Sequence, residues 1–320
     1  MIILLSKPRD TTALRIGSYL TLMGEEWAIL DPSLIPLNAM VTCRLEKGER
    51  PRYMVKTQEE IFDLRSCKSI WFWHYDQPKL DDIGDANVRR WMRLESVSAM
   101  DGIWSSLDCF WVSSPHRVIE AQYKPYNLKK AYEVGFKIPK TLITNDPDLF
   151  LDFMNECDGK VISKPIMQTN FEYKGANYMI YTKKISKNDI RRFQSVKLSP
   201  VIFQEYVDKK LEVRVTIVGD KVFAAEIHSQ RSPLSRVDWR RYDLDNTPYF
   251  IHKLPEEVHE ECLTLMRELG LRYCAIDLIL KPDGSYVYLE VNPVGQFGWI
   301  EDLTGMKITE SVAKLLAHSG

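Results

Sequence analysis

Residues Tyr273–Gly298 read YCAIDLILKPDGSYVYLEVNPVGQFG, and the remaining motifs fall into place around them. Two apolar runs flank Lys281-Pro282-Asp283-Gly284-Ser285, and Asp-Gly between β-rich runs is a strong local hairpin signal. Taking Asp283-Gly284 as a two-residue loop pairs Pro282 with Ser285 and, counted back along both strands, sets Asp277 opposite Glu290. Opposed residues share one face of a sheet, with Cβ atoms roughly 4.5–5.5 Å apart. Asn292, two residues beyond Glu290, returns to that face. Ile276, Leu278, Leu289 and Val291 then point the other way, into a core.

Two carboxylates facing each other across a ladder repel. A divalent cation is the simplest offset. Two carboxylates and an amide carbonyl form an oxygen-only set that suits magnesium, which leaves further positions to water and phosphate oxygens. The competing reading is an open hairpin face whose charges are solvated. Spacing alone leaves both standing.

The chain of 320 residues is 45% hydrophobic and 27% charged, an ordinary globular composition with room for one to three domains. A net charge of −1 argues against general nucleic-acid binding. Cys43, Cys67, Cys109, Cys157, Cys262 and Cys274 lie far apart with no C-x-x-C pair, which fits neither a zinc site nor a disulfide framework. Met1–Leu5 is too short for a signal sequence, and no apolar run approaches the roughly 18 residues that span a bilayer. The expectation is a soluble cytoplasmic protein with no membrane partner.

The first 115 residues open β-α-β, with strands at Met1–Leu5 and Trp27–Leu30 around a helix at Thr12–Met23, so a parallel sheet is expected. Val41–Met54 reads as a hairpin, Ser69–His74 as a buried strand, 86–106 as helix and Phe110–Val112 as a last strand. No G-x-G-x-x-G follows the first strand, so the dinucleotide fingerprint is absent. Trp71 and Trp73 alternate with Phe72 and read as core. From His116 the pattern becomes α+β. A helix His116–Val134 ends at Gly135, and Val161–Ile166 is a strand containing Lys164. Met167–Asn177 is a polar loop, Tyr178–Thr182 a strand and Val201–Val207 another. Leu211–Val218 and Lys221–His228 form a hairpin in which Glu212, Arg214 and Thr216 share a face. Ser229–Thr247 is a basic loop, and helices are expected at Glu256–Leu269 and Glu310–Leu316.

Lys164 inside an apolar strand needs either a compensating anion, such as a phosphate, or an escape to water at the strand end. Lys124 reads by itself as a solvated lysine. Gln204-Glu205-Tyr206-Val207 ends a strand with backbone groups able to hydrogen-bond a purine. Ser6, Cys109 and His228 show no partner that would make any of them a nucleophile.

Taken in order, these pieces resemble the ATP-grasp superfamily over residues 116–320: Lys124 in AQYKPYNLKKA, Lys164 in VISKP, then QEYV, and Glu212 with Arg214 in LEVRVTIVGD. Arg240 in VDWRRYD follows, with Asp277, Glu290 and Asn292 in AIDLIL…LEVNP. The resemblance implies an α/β and α+β protein of the ATP-grasp fold. Its parts would be a pre-ATP-grasp α/β domain (1–115), a central lid subdomain (116–200) and a C-terminal subdomain (201–320). SSPH…KP…GFKIPKTLITNDP and VGDKVFAAEIHSQ…DWR look most like the maturases of microviridin-type ribosomal peptides, with the ribosomal protein glutamate ligases as close relatives. What this implies is an ATP-dependent ligase that activates Asp or Glu side chains of a precursor peptide as acyl phosphates. Ser, Thr or Lys side chains then attack, closing ester or amide rings.

By the same resemblance, Lys124 and Lys164 would neutralise the α- and β-phosphates of ATP. Gln204, Glu205, Tyr206 and Val207 would hold the adenine and Glu212 the ribose. Arg214 would reach the phosphates and Arg240 the γ-phosphate and incoming carboxylate, both as catalytic residues. Asp277, Glu290 and Asn292 would bind Mg2+. The implied partners are a precursor peptide with leader and acidic core, and a second copy of the chain. Two alternatives are a ligase adding glutamate or another amino acid to a protein or small molecule, and a regulator that binds nucleotide without turnover. One departure stands out: many ATP-grasp enzymes carry a glycine-rich loop over the phosphates, whereas Met167–Asn177 contains only Gly175.

Overall fold

The computed structural model describes residues 1–167, 170–173, 176–241 and 243–318. Its contacts divide into two compact units. The first takes Met1–Val118, with Gly270–Tyr273 and the residues from Lys307 onward; the second takes Ile119–Leu269 and Cys274–Met306.

In the first unit, β1 (Ile2–Leu5), α1 (Thr11–Leu22) and β2 (Trp27–Leu30) form the expected β-α-β opening. Asp10 caps α1 by accepting from the Ala13 N–H at 2.8 Å. Gly17 lets α1 lie close to β2, because a Cβ there would meet the Trp27 ring at 2.2 Å. The hairpin at 41–54 acquires a third strand: β3 (Met40–Arg44), β4 (Arg52–Lys56) and β5 (Ile61–Asp63) make a separate antiparallel sheet. A three-residue strand is too short for its alternation to show in the sequence. Then follow β6 (Ser69–Phe72), α2 (Ala86–Ser105), β7 (Phe110–Val112) and α3 (Pro115–Gln122). The parallel sheet runs β2-β1-β6-β7, and the terminal helix at Ile308–Ala317 packs on α1 and β6. Ser69 Oγ donates to the Leu316 carbonyl at 2.8 Å. Trp71 and Trp73 are core, stacked with ring centroids 4.3 Å apart.

The second unit departs first at its opening helix. Instead of one helix to Val134, the chain breaks at the extended Tyr123 and restarts as α4 (Lys124–Val134). Pro125 lacks an N–H and fits only a first turn, so it marks a helix start. The restart places Lys124 at the head of α4. Gly135 closes that helix at φ 118°, as its sequence position suggested. Next come β8 (Thr141–Thr144), α5 (Pro147–Glu156), β9 (Val161–Lys164), β10 (Asn170–Tyr173), β11 (Ala176–Met179), β12 (Lys183–Lys184), α6 (Lys187–Arg191) and β13 (Val201–Glu205). The antiparallel sheet β12-β9-β13-β8 is backed by Phe150, Phe153 and Met154 of α5. β10 and β11 pair as their own hairpin. The strand expected at Tyr178–Thr182 therefore lies earlier, and part of the expected loop is strand. Gly175 lies outside the described residues.

The second sheet of this unit is ordered β16-β15-β14-β17-β18. It is built from β14 (Leu211–Val218), β15 (Lys221–Ile227), β16 (Tyr249–Ile251), β17 (Tyr273–Leu280) and β18 (Tyr286–Asn292), with α7 (Glu256–Glu268) against β14 and α4. α8 (Gly298–Thr304) was not foreseen, for it opens without a side-chain cap; α9 is Ile308–Ala317. Among the described residues no helix is long and apolar enough to cross a membrane.

Candidate active site

Asp277 does sit opposite Glu290, but by a route the sequence count did not contain. The turn spans Lys281 to Ser285, with Lys281 N–H donating to the Ser285 carbonyl at 2.9 Å. Leu280 therefore pairs with Tyr286, one residue short of the expected register. A β-bulge between Asp277 and Leu278 then passes over Leu289 and restores the pairing of Asp277 with Glu290 and of Ala275 with Asn292. Two deviations cancel. The exception is Leu289, which lines the cleft described below instead of the core, while Tyr288 is fully buried in its place.

The two carboxylates are each met by a cation of the chain itself. Lys124 Nζ lies 2.7 Å from Glu290 Oε2 and Lys164 Nζ lies 3.7 Å from the same oxygen. Arg214 Nη1 donates to Asp277 Oδ2 at 2.9 Å, with both side chains below one-tenth exposed. Lys124 is thus not the solvated lysine its local sequence suggested, and Arg214 is engaged on Asp277. Burial opposes ionisation of Glu290, yet Lys124, Lys164 and Arg240 hold its carboxyl well below the usual carboxylate range. Burial pulls Lys164 down to about 8, with Lys124 and Arg240 adding to the effect and Glu290 opposing it. For Asp277 burial dominates and pushes the carboxyl up, against Arg214.

Gln204 and Glu205 end β13, between β8 and β9. Gln204 is 1% exposed; its Nε2 donates to Thr141 Oγ1 at 2.9 Å, while Oε1 has no partner among the described residues. The Tyr206 N–H is taken by the Lys160 carbonyl at 2.7 Å, so that group is not free for a purine. Glu212 is gripped by Lys209 Nζ and Ser229 Oγ. Arg240 is clasped by Asp238: its Nε donates to Oδ1 at 2.8 Å and its Nη2 to Oδ2 at 2.6 Å. Asp238 Oδ2 also accepts from the Thr182 N–H at 2.9 Å. Burial opposes the Arg240 charge, but the Asp238 hydrogen bonds and the Glu290 and Asp277 charges keep it firmly protonated.

One cleft collects most of the candidates. Lys164, Gln204, Glu205, Tyr206, Val207 and Glu212 line it, as do Arg240, Asp277 and Glu290. Lys124, Arg214 and Asn292 do not line it. The first two touch it through Glu290 and Asp277, and Asn292 Oδ1 caps a local turn by accepting from the Val294 N–H at 3.1 Å. Sequence reasoning missed Lys209, Asp238 and Thr182, together with the apolar lining of Ile162, Ile279 and Leu289. Asp238 could have been found, since an Asp two residues before a candidate catalytic Arg is within reach of its guanidinium. Of the three excluded nucleophiles, Ser6 Oγ is buried without a partner among the described residues, and burial pushes the Cys109 thiol up to about 11. His228, expected to have no partner, has Glu226 Oε2 at 2.8 Å from its Nε2.

Among the described residues no group of three His, Cys, Asp or Glu gathers as a metal site; of the expected set, the carboxylates of Asp277 and Glu290 line this cleft, while the Asn292 amide stands outside its lining with Oδ1 taken by the Val294 N–H. Asp277 Oδ1 and Glu290 Oε1 are not used in the Arg214 and Lys124 contacts, and an all-oxygen donor set of this kind fits magnesium.

Similarity to known proteins bears on the family and the fold. The Chryseobacterium gregarium RiPP-associated ATP-grasp ligase, in complex with ADP and a leader and core peptide, matches with a TM-score of 0.91 at 24% identity, covering 100% of this chain and 97% of that one. Macrocyclase MdnC from Microcystis aeruginosa MRC, bound with precursor peptide MdnA, matches with a TM-score of 0.88 at 26% identity over 99% of this chain and 98% of that one. The alpha-aminoadipate–LysW ligase LysX of Sulfurisphaera tokodaii is 20% identical over 237 residues, 71% of this chain and 79% of that protein. The RimK-like ATP-grasp domain matches residues 123–316, well over half the chain. With Lys164, the paired carboxylates and the clasped Arg240 drawn to one cleft, the chain belongs to the RimK-like ATP-grasp family.

Proposed function

We propose that this protein is an ATP-dependent carboxylate ligase that closes rings in a ribosomally made precursor peptide, joining Asp or Glu side chains to Ser, Thr or Lys side chains. The observation that carries the reading is Glu290: a half-buried, ionised carboxylate opposite Asp277 and held by both Lys124 and Lys164. Such a cluster suits the β- and γ-phosphates of a nucleotide. Whole-chain similarity to a RiPP-associated ligase and to macrocyclase MdnC supports a peptide as the substrate.

In this reading Gln204 Oε1, a buried acceptor, would take the exocyclic amino group of adenine, with Ile162, Ile279 and Leu289 as the apolar walls around the base. Glu212 would accept from the ribose. Lys164 would lie along the phosphates, its proton shared between phosphate and Glu290. Asp277, Glu290 and Asn292 would hold Mg2+, which when bound screens the charge of the transferring phosphoryl group. Arg214, engaged on Asp277, would orient that carboxylate. Arg240, locked in orientation by Asp238, would face the γ-phosphate and the incoming carboxylate.

The substrate carboxylate attacks the γ-phosphorus and the β–γ bridging oxygen leaves with ADP, giving an acyl phosphate. A hydroxyl or amine then attacks the acyl carbon, phosphate departs, and the nucleophile's proton passes to phosphate or solvent. Charge spreads over oxygens throughout, so fixed cations supply the stabilisation and no protein nucleophile is needed. Divisions at 115/116 and 200/201, a homodimeric assembly and a cytoplasmic setting complete the proposal. The last is supported by six cysteines that are all free.

The test is mass spectrometry of a precursor peptide encoded beside this chain, incubated with the protein, ATP and magnesium. Loss of one water per ring supports cyclisation. A gain of one amino-acid residue would instead establish the reaction type of the aminoadipate ligase relative, and no change with ATP intact would reject both.

A further inference from the structure

Glu212 was singled out for the ribose, yet the neighbours that hold it were not. Its Oε1 is bound by Lys209 Nζ and its Oε2 by Ser229 Oγ. Lys209 Nζ is also held by the Val237 carbonyl at 3.3 Å. The Lys209 and Glu212 side chains are only 5% and 3% exposed, and Ser229 is fully buried. Lysine is almost never buried this far unless paired. Both members of this pair line the cleft, as do Val207, Val237, Gln204 and Glu205.

The geometry limits what Glu212 can still do. An ionised carboxylate has about four lone-pair sites. Lys209 and Ser229 occupy one on each oxygen, from different elements, so the remaining acceptor sites are also one on each oxygen. Two acceptors side by side are the complement of a vicinal diol. Burial pushes the Glu212 carboxyl up, and Lys209 is the foremost group acting against that. Without it the carboxyl would tend to carry a proton and lose one acceptor. A purely structural ion pair gains little from such burial, since well-packed apolar replacements are often as stable.

We propose that Lys209 and Ser229 are positioning residues which aim the Glu212 carboxylate at both hydroxyls of a ribose, and so make this site select ribonucleotides over their deoxy analogues. The inference rests on the cleft being the ATP site. It adds two residues to that reading and a specificity to it.

Calorimetry of the full chain with magnesium and either ADP or 2′,3′-dideoxy-ADP tests it. Wild type should prefer ADP by roughly 10–100-fold, the range of hydrogen bonds to a charged group. Lys209→Met should lose affinity for ADP while holding that for dideoxy-ADP, so that the preference collapses; Lys209→Arg should restore part of it. Ser229→Ala removes one hydroxyl and no charge, and should shift the ratio in the same direction without unpairing a buried acid. In a Glu212→Gln background neither change should move the ratio further. Equal loss of both nucleotides, or a ratio unchanged in Lys209→Met and Ser229→Ala, overturns the inference while leaving the ATP site intact. Wild-type protein that binds neither nucleotide overturns the ATP reading and the inference with it.

Discussion

Gly295 stands so close to Arg214 that a Cβ added there would lie 2.4 Å from Arg214 Nη2 and 2.6 Å from the Ala275 Cβ. Arg214 is at the same time bonded to Asp277. A side chain at 295 must therefore move the guanidinium that orients a candidate magnesium ligand. Gly295→Ala should cost about 1–3 kcal/mol by overpacking, and should weaken binding of magnesium and ADP by roughly 10–100-fold. Thermal melts and calorimetry check the two separately. Unchanged nucleotide affinity in a destabilised protein would show that Arg214 serves the fold alone.

Asp238 joins Arg240 to the backbone of Thr182, which immediately precedes β12. Asp238→Ala takes from the half-buried Arg240 its carboxylate, and losing hydrogen bonds to a charged group of this kind costs on the order of 1.5–3 kcal/mol. Urea denaturation should show a loss of that size, with faster hydrogen exchange at the Thr182 amide. Asp238→Asn keeps the shape and one acceptor, and should lose distinctly less.

Glu290→Gln removes the charge that both Lys124 and Lys164 face. The two ammonium groups, which share Glu290 Oε2, then repel without the charge that offsets them, and one candidate metal ligand becomes neutral. Turnover with a cognate peptide should fall on the order of 10³-fold, since metal and cationic groups supply several kcal/mol to such transfers. Chelation of magnesium from wild-type protein should reach the same floor. Release of ADP at the wild-type rate by the variant would remove Glu290 from the site.

Asp189 belongs to a capping box with Ser186 at the start of α6 and pairs with Lys183 at 2.5 Å. The Lys183 contact, helped by Ser186, holds its carboxyl down to about 2. A depressed carboxyl contributes stability that is present above its unfolded value, near 3.8, and lost as pH falls toward the folded one. Asp189→Asn should therefore be slightly less stable than wild type at pH 7, by no more than about 1 kcal/mol for so open a pair. That difference should disappear between pH 4 and about 2. A gap that widens on acidification would contradict the assignment.

How far these residues could be read in advance depended on distance along the chain. The hairpin β14–β15 follows from alternation and turn chemistry, both local, whereas the count that set Asp277 opposite Glu290 reached the observed pair because a longer turn and a bulge offset each other. The bulge at Leu289 is invisible to such counting, because nothing in Tyr-Leu-Glu-Val says which residue the ladder will skip. The restart at Lys124 was written in Pro125, yet the apolar pattern continues across it and suggests one helix. Lys209 and Asp238 were missed for another reason. Each meets a partner placed elsewhere in the chain, the Val237 carbonyl for Lys209 and the Thr182 N–H for Asp238, and such meetings are products of the fold. Resemblance to a family carried Lys124 and Arg240 where local chemistry alone pointed elsewhere or nowhere, whereas the apolar strand around Lys164 already called for an anion or an escape to water.

The helix Ile308–Ala317 closes over α1 and β6, and Leu316 takes the hydroxyl of the buried Ser69. During synthesis, then, the amino-terminal sheet emerges first and is sealed last. Until translation passes Lys307, the all-apolar β1 and its neighbours lack part of their cover and are exposed to misassociation with other nascent chains. A premature stop ahead of Ile308 would unroof the beginning of the polypeptide, leaving soluble yield, ahead of catalysis, as the first casualty.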